Sequence, residues 1–101
     1  MEAIRFGTDA KGQGGFYIME GEEQLGEMAI SISGEKLTVY HTEVVEKAGG
    51  RGLAKKMLET MVAHARSNGL KVIPLCPYVH AQFKRHPLDY ADIWSGAEKK
   101  K

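Results

Sequence analysis

Glu46-Lys47-Ala48-Gly49-Gly50-Arg51-Gly52-Leu53-Ala54 is the most informative stretch of this chain. Three glycines in four positions let a backbone take unusual dihedrals and approach a ligand closely. Past them the period of the sequence changes. Leu53, Ala54, Met57, Leu58, Met61, Val62 and Ala65 recur at helical spacing, while Lys55, Lys56, Glu59, Thr60 and Arg66 lie off that stripe. The pattern predicts an amphipathic helix from about Gly52 to Ser67, ended by Asn68-Gly69 in a left-handed turn. Free N–H groups at its start, together with the helix dipole, favour an anion, of which pyrophosphate is the usual example. The glycine spacing fits neither the P-loop nor the dinucleotide fingerprint.

Upstream of the turn the chain reads as strands. Ile4-Arg5-Phe6 is a short edge strand, Gly12-Gln13-Gly14-Gly15 a turn and Phe16–Met19 a second strand ending in the polar turn Glu20–Glu23. From Leu25 to Ser33, Met28, Ile30 and Ile32 alternate with smaller residues, which marks one buried face. Gly34-Glu35 turns the chain into another strand, Lys36 to Val45. Downstream, Leu70–Leu75 is short and apolar, and reads as a strand returning parallel through a right-handed crossover. Pro74 leaves it poorly paired on one side. A shorter helix from about Val79 to Arg85 stops at Pro87, and Asp89–Trp94 is a candidate last strand. The fold expected is α+β: a twisted mixed sheet with the long helix on one face and a shorter C-terminal helix.

The chain of 101 residues has room for one domain. We assign it to residues 1–95, with a charged tail at 96–101. Lys plus Arg number 14 against 13 Asp plus Glu, and the lysine-rich tail holds three of those bases, so the body is near neutral. A nucleic-acid binder advertises a basic face, and this composition argues against one. No apolar run approaches the length that spans a bilayer, and the start of the chain lacks a signal-peptide pattern. The expected setting is cytoplasmic, without membrane or nucleic-acid partners. Cys76 is the sole cysteine, so an intramolecular disulfide or a four-cysteine zinc site is excluded. His80 and His86, six apart, share no helical face, and no metal is expected.

Reactive residue types collect at the two strand ends flanking the helix: His41-Thr42-Glu43 on one, Cys76 on the other. In open α/β arrangements a ligand crevice forms at such carboxyl ends. His41 and Glu43 share a face by strand alternation, and either suits a general base. Cys76 suits a nucleophile near a histidine that stabilises its thiolate, or a small buried hydrophobe. Tyr78 is a candidate general acid or a packing residue. His64 reads as solvated, and Phe83, Tyr90 and Trp94 as packing.

The run Gly49-Gly50-Arg51-Gly52-Leu53-Ala54 resembles the acyl-CoA motif of GNAT-type N-acetyltransferases, Gln/Arg-x-x-Gly-x-Gly/Ala. Gly52 and Ala54 match its last fixed positions, and Gly49 replaces the usual Gln or Arg. With His41-Thr42-Glu43-Val44 and Pro74-Leu75-Cys76-Pro77-Tyr78 in order, residues 3 to 94 are similar to a short, single-domain GNAT-like subfamily. The resemblance implies acetyl-CoA as co-substrate, with pyrophosphate on backbone amides from Arg51 to Lys55 and the turn Gly49, Gly50, Arg51, Gly52, Leu53, Ala54 as its cradle. It implies that the strand carrying His41 splays from the strand carrying Cys76, with Val44 and Val45 offering backbone groups to the pantetheine arm. Lys55, Lys56, Lys84 or Arg85 would meet the adenosine phosphates on charge alone. Catalysis falls to Cys76, His41 and Glu43, transferring acetyl to an amine of a small molecule or protein. Full-length relatives begin with helices walling the acceptor side, and this sequence shows none. That difference supports the rival reading, a non-catalytic acyl-CoA-binding or sensing module acting with a protein partner.

Overall fold

The computed structural model describes residues 2–96, so the tail expected at 96–101 lies outside the described residues beyond Gly96. Four antiparallel strands come first: β1 (Glu2–Thr8), β2 (Gln13–Glu20), β3 (Glu23–Ser33) and β4 (Lys36–Val44). A single 3-10 turn at Glu46–Ala48 leads into helix α1 (Leu53–Ser67). Strand β5 (Lys71–Pro74), helix α2 (Pro77–Arg85) and the one-turn helix α3 (Pro87–Tyr90) complete the chain. The sheet order is β1-β2-β3-β4-β5, with β4 and β5 parallel. This is the mixed α+β sheet that the change of period predicts.

The helical stripe does what its spacing requires. Leu53, Met57, Leu58, Met61, Val62 and Ala65 are buried against inward-facing strand residues such as Phe16, Ile18, Met28, Ile30, Leu37 and Val39. Truncating one of the central residues to alanine costs about 2–5 kcal/mol in such a setting. Gly69, at φ +65°, ends α1. Arg66 then ties the helix to the C-terminal segment by pairing with Asp92 at 2.8 Å and donating to the Asp89 carbonyl at 2.6 Å. The packed residues of α1 and α2 belong to one core. Both helices therefore cover the same face of the sheet. The outer face, carrying Tyr17, Glu27, Ala29, Ser31, His41 and Glu43, is half-buried to exposed.

Several boundaries differ from the sequence reading. The first turn closes earlier than Gly12–Gly15, because Asp9 Oδ1 accepts the N–H groups of Lys11 and Gln13. Gly14 and Gly15 are then strand residues, and a Cβ on Gly14 would lie 1.9 Å from the Gly7 carbonyl oxygen. Pro77 opens α2 two residues before the expected start, as proline suits the first helical position. For the same reason Pro87 opens α3 rather than only stopping α2. Asp89–Trp94 supplies no strand but one parallel bridge, Val72 with Trp94. Its apolar residues pack inward instead: Phe83 stacks on Tyr90 at 4.7 Å and meets Trp94 at 5.6 Å.

A candidate active site where two strands part

The parallel ladder between β4 and β5 ends at Val39 and Pro74. Pro74 cannot donate a ladder bond. The Cys76 N–H donates to the Val39 carbonyl at 2.9 Å, and beyond that the strands separate. β4 continues alone on that side to Val44. Its register against β3 slips by one residue, since Ala29 pairs with His41 and Ile30 with Val39, leaving Tyr40 as the extra residue of a bulge. The bulge rephases the strand. Thr42, paired with the buried Met28, turns to the helix side, while His41 and Glu43 turn to the outer face with Ala29 and Glu27.

Backbone orientation follows from the same register. The Val45 N–H donates to the Leu25 carbonyl at 2.8 Å, so alternation directs the peptide groups of Thr42 and Val44 away from β3, toward the gap. Of the two residues expected to serve a pantetheine arm, Val44 faces the gap and the Val45 N–H is already engaged. Gln24, Leu25, Gly26, Glu43, Val44 and Val45 line a cleft of about 230 Å³ at this end of the strands.

The glycine turn sits beside the gap. Gly50 and Gly52 have φ of +82° and +74°, a region that residues with a Cβ rarely adopt. A Cβ at either would meet nothing within 4 Å. The glycines are thus required by backbone shape, and the space beside them is open. Gly52 caps α1 without a side-chain hydrogen bond, and the first helical bond runs from the Lys56 N–H to the Gly52 carbonyl. The N–H groups of Leu53, Ala54 and Lys55 therefore lack intrahelical acceptors and begin where Arg51 ends the turn. Open space at the glycines and unpaired helix amides suit a pyrophosphate. Gly49, in contrast, is extended and donates to the Glu46 carbonyl at 3.0 Å.

Arg51 and Lys56, beside this turn, are paired within the chain. Arg51 contacts Glu2 and also reaches Glu20 at 3.2 Å, and Lys56 reaches Glu2 at 2.7 Å. Hydrogen bonds from Lys56 and then Arg51 hold the Glu2 carboxyl down to about 2, and Glu2 in turn raises Arg51. Lys56, expected near adenosine phosphates, is so engaged with β1. Lys55 is exposed at the helix start, and Lys84 and Arg85 lie at the far end of α2.

Cys76 is 1% exposed and forms the N-terminal boundary of α2. Its Sγ lies 3.3 Å from Thr42 Oγ1. The expected pairing with His41 is not formed, because neighbouring residues on a strand point to opposite faces and Thr42 is the one on Cys76's side. Thr42 joins the candidate site through this contact, which sequence reading missed because its position depends on the bulge. His41 and Glu43 share a face, as alternation predicts, and Glu27 joins them from β3. Burial, followed by the nearby Tyr90, pushes the Tyr78 phenol upward, so it keeps its proton over a wider pH range. His64 is not simply solvated. Phe6 covers its ring at 4.4 Å and Phe16 meets it edge-on at 5.7 Å.

Comparison with known proteins accords with this architecture. The family model for GCN5-related N-acetyltransferases matches residues 15–93. The chain belongs to that family, whose members transfer an acetyl group and use acetyl-CoA as co-substrate. Among solved structures, a GCN5-like candidate N-acetyltransferase from Staphylococcus aureus superposes with TM-score 0.66 at 28% identity, over 89% of this chain and 86% of that one. A ribosomal-protein-alanine N-acetyltransferase from Brucella melitensis shares the fold at TM-score 0.63 and 14% identity, over 76% of this chain and 64% of that one. The ribosomal-protein-S18-alanine N-acetyltransferase from Escherichia coli does so at TM-score 0.60 and 12% identity, over 65% of this chain. This chain spans 43% of the Escherichia coli enzyme's length. A search of curated proteins finds no significant match. No described helix is long and apolar enough to cross a membrane.

Proposed function

We propose that this protein is an acetyl-CoA-dependent N-acetyltransferase whose reaction centre is the gap between β4 and β5. The observation that carries the reading is the end of the β4–β5 ladder at Val39 and Pro74 while β4 runs on to Val44. Peptide groups of Thr42 and Val44 then face open space beside a glycine turn shaped for a pyrophosphate. Acetyl-CoA supplies an activated acetyl group as a thioester. The amides of Leu53, Ala54 and Lys55 hold its pyrophosphate, with Gly50 and Gly52 giving clearance, and Val44 orients the pantetheine arm.

The acceptor amine approaches from the uncovered outer face of the sheet. His41 or Glu43 takes the proton the amine loses as its nitrogen bonds to the acetyl carbon and the carbon–sulfur bond to CoA breaks. Cys76, on the helix side and away from His41, lines the gap with Thr42, and this placement favours direct transfer over an acetyl-cysteine route. The uncovered face also favours one second reading, a non-catalytic acyl-CoA-binding module completed by a partner.

The test is calorimetric titration with acetyl-CoA, with free CoA for comparison, alongside thiol release in the presence of amine acceptors. Saturable micromolar binding with acceptor-dependent thiol release supports the enzyme. Binding without release from any amine supports the sensing module. No saturation at millimolar acetyl-CoA overturns both.

A further inference from the structure

The outer face of the sheet holds a cluster with chemistry of its own. Glu27 of β3 pairs directly across from Glu43 of β4, and His41 precedes Glu43 by two positions on the same face. One ligand-capable atom from each of the three lies within 4.8 Å of the others. Carboxylates directly opposite each other on adjacent strands repel.

Elsewhere this chain neutralises the same arrangement from within. Glu2 and Glu20 are also cross-strand partners, and Arg51 contacts both while Lys56 reaches Glu2. Among the described residues, the ion pairs recruit Lys47, Arg51, Lys56 and Arg66, and none of them goes to Glu27 or Glu43. Arg5 stands in the same cross-strand row but two strands from Glu27, with Tyr17 between them. Among the described residues, no ion pair gives this pair the cation that its counterpart at Glu2 possesses.

We propose that Glu27, His41 and Glu43 form a binding site for a first-row divalent transition-metal ion. Two positions i and i+2 on one strand, plus a cross-strand neighbour, give three donors converging from a sheet surface rather than from a loop. The imidazole nitrogen selects for zinc, nickel or copper over magnesium and calcium, which prefer sets of oxygens. Two carboxylates offset the charge of a divalent ion, and a neutral imidazole adds none. Ligand bonds to zinc are about 2.0–2.2 Å, and His41 and Glu43 are exposed, so rotamer changes can draw the three donors together. The uncovered side of the sheet leaves remaining coordination positions to water.

The site shares His41 and Glu43 with the proposed acceptor face, so a bound ion would occupy the base, but it does not rest on acyl-CoA binding and is tested without it. Zn²⁺ is titrated calorimetrically into the full chain in a buffer that does not coordinate metal. The result expected is one saturable equivalent, with Mg²⁺ giving none. His41→Ala, Glu43→Gln and Glu27→Gln should each weaken Zn²⁺ binding by about tenfold or more, since even groups that merely support a metal ligand cost that much when lost. Cys76→Ser and His80→Ala should leave it unchanged. Absence of saturation at submillimolar Zn²⁺ overturns the proposal, as does binding that survives His41→Ala. A His41 ring signal in proton NMR that responds to a diamine and not to Zn²⁺ also overturns it, and assigns the cluster to an organic cation.

Discussion

Thr42 Oγ1 lies 3.3 Å from Cys76 Sγ, bridging β4 and the start of α2 where β5 no longer connects them. Among the described residues, this is the only side-chain hydrogen bond that Cys76 makes. Thr42→Val keeps the shape and removes the polar partner. It should lower unfolding free energy by about 0.5–1.5 kcal/mol, the net value of an ordinary hydrogen bond, while Thr42→Ser retains most of the stability. Urea denaturation of the three proteins provides the check.

Direct transfer and a cysteine relay predict different responses at Cys76. With direct attack, Cys76→Ala retains turnover within about tenfold, whereas the His41→Ala, Glu43→Gln double variant loses about a hundredfold or more, as removal of general-base catalysis does. Intact-protein mass spectrometry after mixing wild type with acetyl-CoA should show no acetyl adduct. An adduct lost in Cys76→Ala, together with loss of turnover, would establish the relay.

Gly52 separates backbone strain from ligand clearance. Gly52→Ala must hold a left-handed φ, at a cost of about 1–2 kcal/mol, yet its Cβ meets no protein atom within 4 Å. Affinity for acetyl-CoA should fall further than the stability loss explains, because the added carbon enters the space beside the helix amides. Pantetheine lacking the phosphates should be affected less. Equal effects on both ligands would remove the pyrophosphate from this turn.

The Glu2 network makes a prediction about acid. Its carboxyl is lowered from an ordinary 4.5 to about 2 by Lys56 and Arg51. A depressed folded-state value means the stabilisation is present above the unfolded value and is lost as pH falls from about 4.5 through about 2. Glu2→Gln should therefore flatten the pH dependence of stability in that window. The pairing is solvent-exposed, so added salt should shrink the difference. Stability of wild type and variant across that range, by chemical denaturation, is the measurement.

Gly26 of β3 is buried under Met57 of α1 with no room for a side chain. A Cβ there would lie 3.0 Å from both Ile18 Cγ2 and Met57 Cε and 3.1 Å from the Glu43 carbonyl oxygen. Gly26→Val should destabilise by about 1–3 kcal/mol through overpacking. The Met57→Ala background should relieve part of that cost, and a double-mutant cycle in urea reads the coupling.

Local periodicity carries most of the architecture into the sequence. The stripe from Leu53 to Ala65 defines α1, and alternation places His41 and Glu43 together. What periodicity does not encode is pairing between distant residues. Nothing near Tyr40 announces a bulge, so Thr42's turn toward Cys76 is invisible until β3 and β4 are set in register. Glu27 joins His41 through the same register, across a hairpin. Phe6 over His64 is likewise a contact between an edge strand and a distant helix, and polar helix neighbours alone suggest water instead. Pro87 illustrates an ambiguity of another kind, since proline both ends one helix and opens the next.

The bulge at Tyr40 also bears on how this sequence can change by inheritance. Most substitutions along β4 would alter one side chain. An in-frame loss of the Tyr40 codon would instead remove the bulge and leave a regular ladder, because Val39 and His41 already pair with the adjacent residues Ile30 and Ala29; Thr42 would keep its helix-side place and His41 and Glu43 their outer face. A lineage can therefore vary the chemistry of this strand residue by residue, and can even lose the bulged residue, without reversing the faces of the site, whereas pairing Tyr40 into the ladder would reverse them all at once.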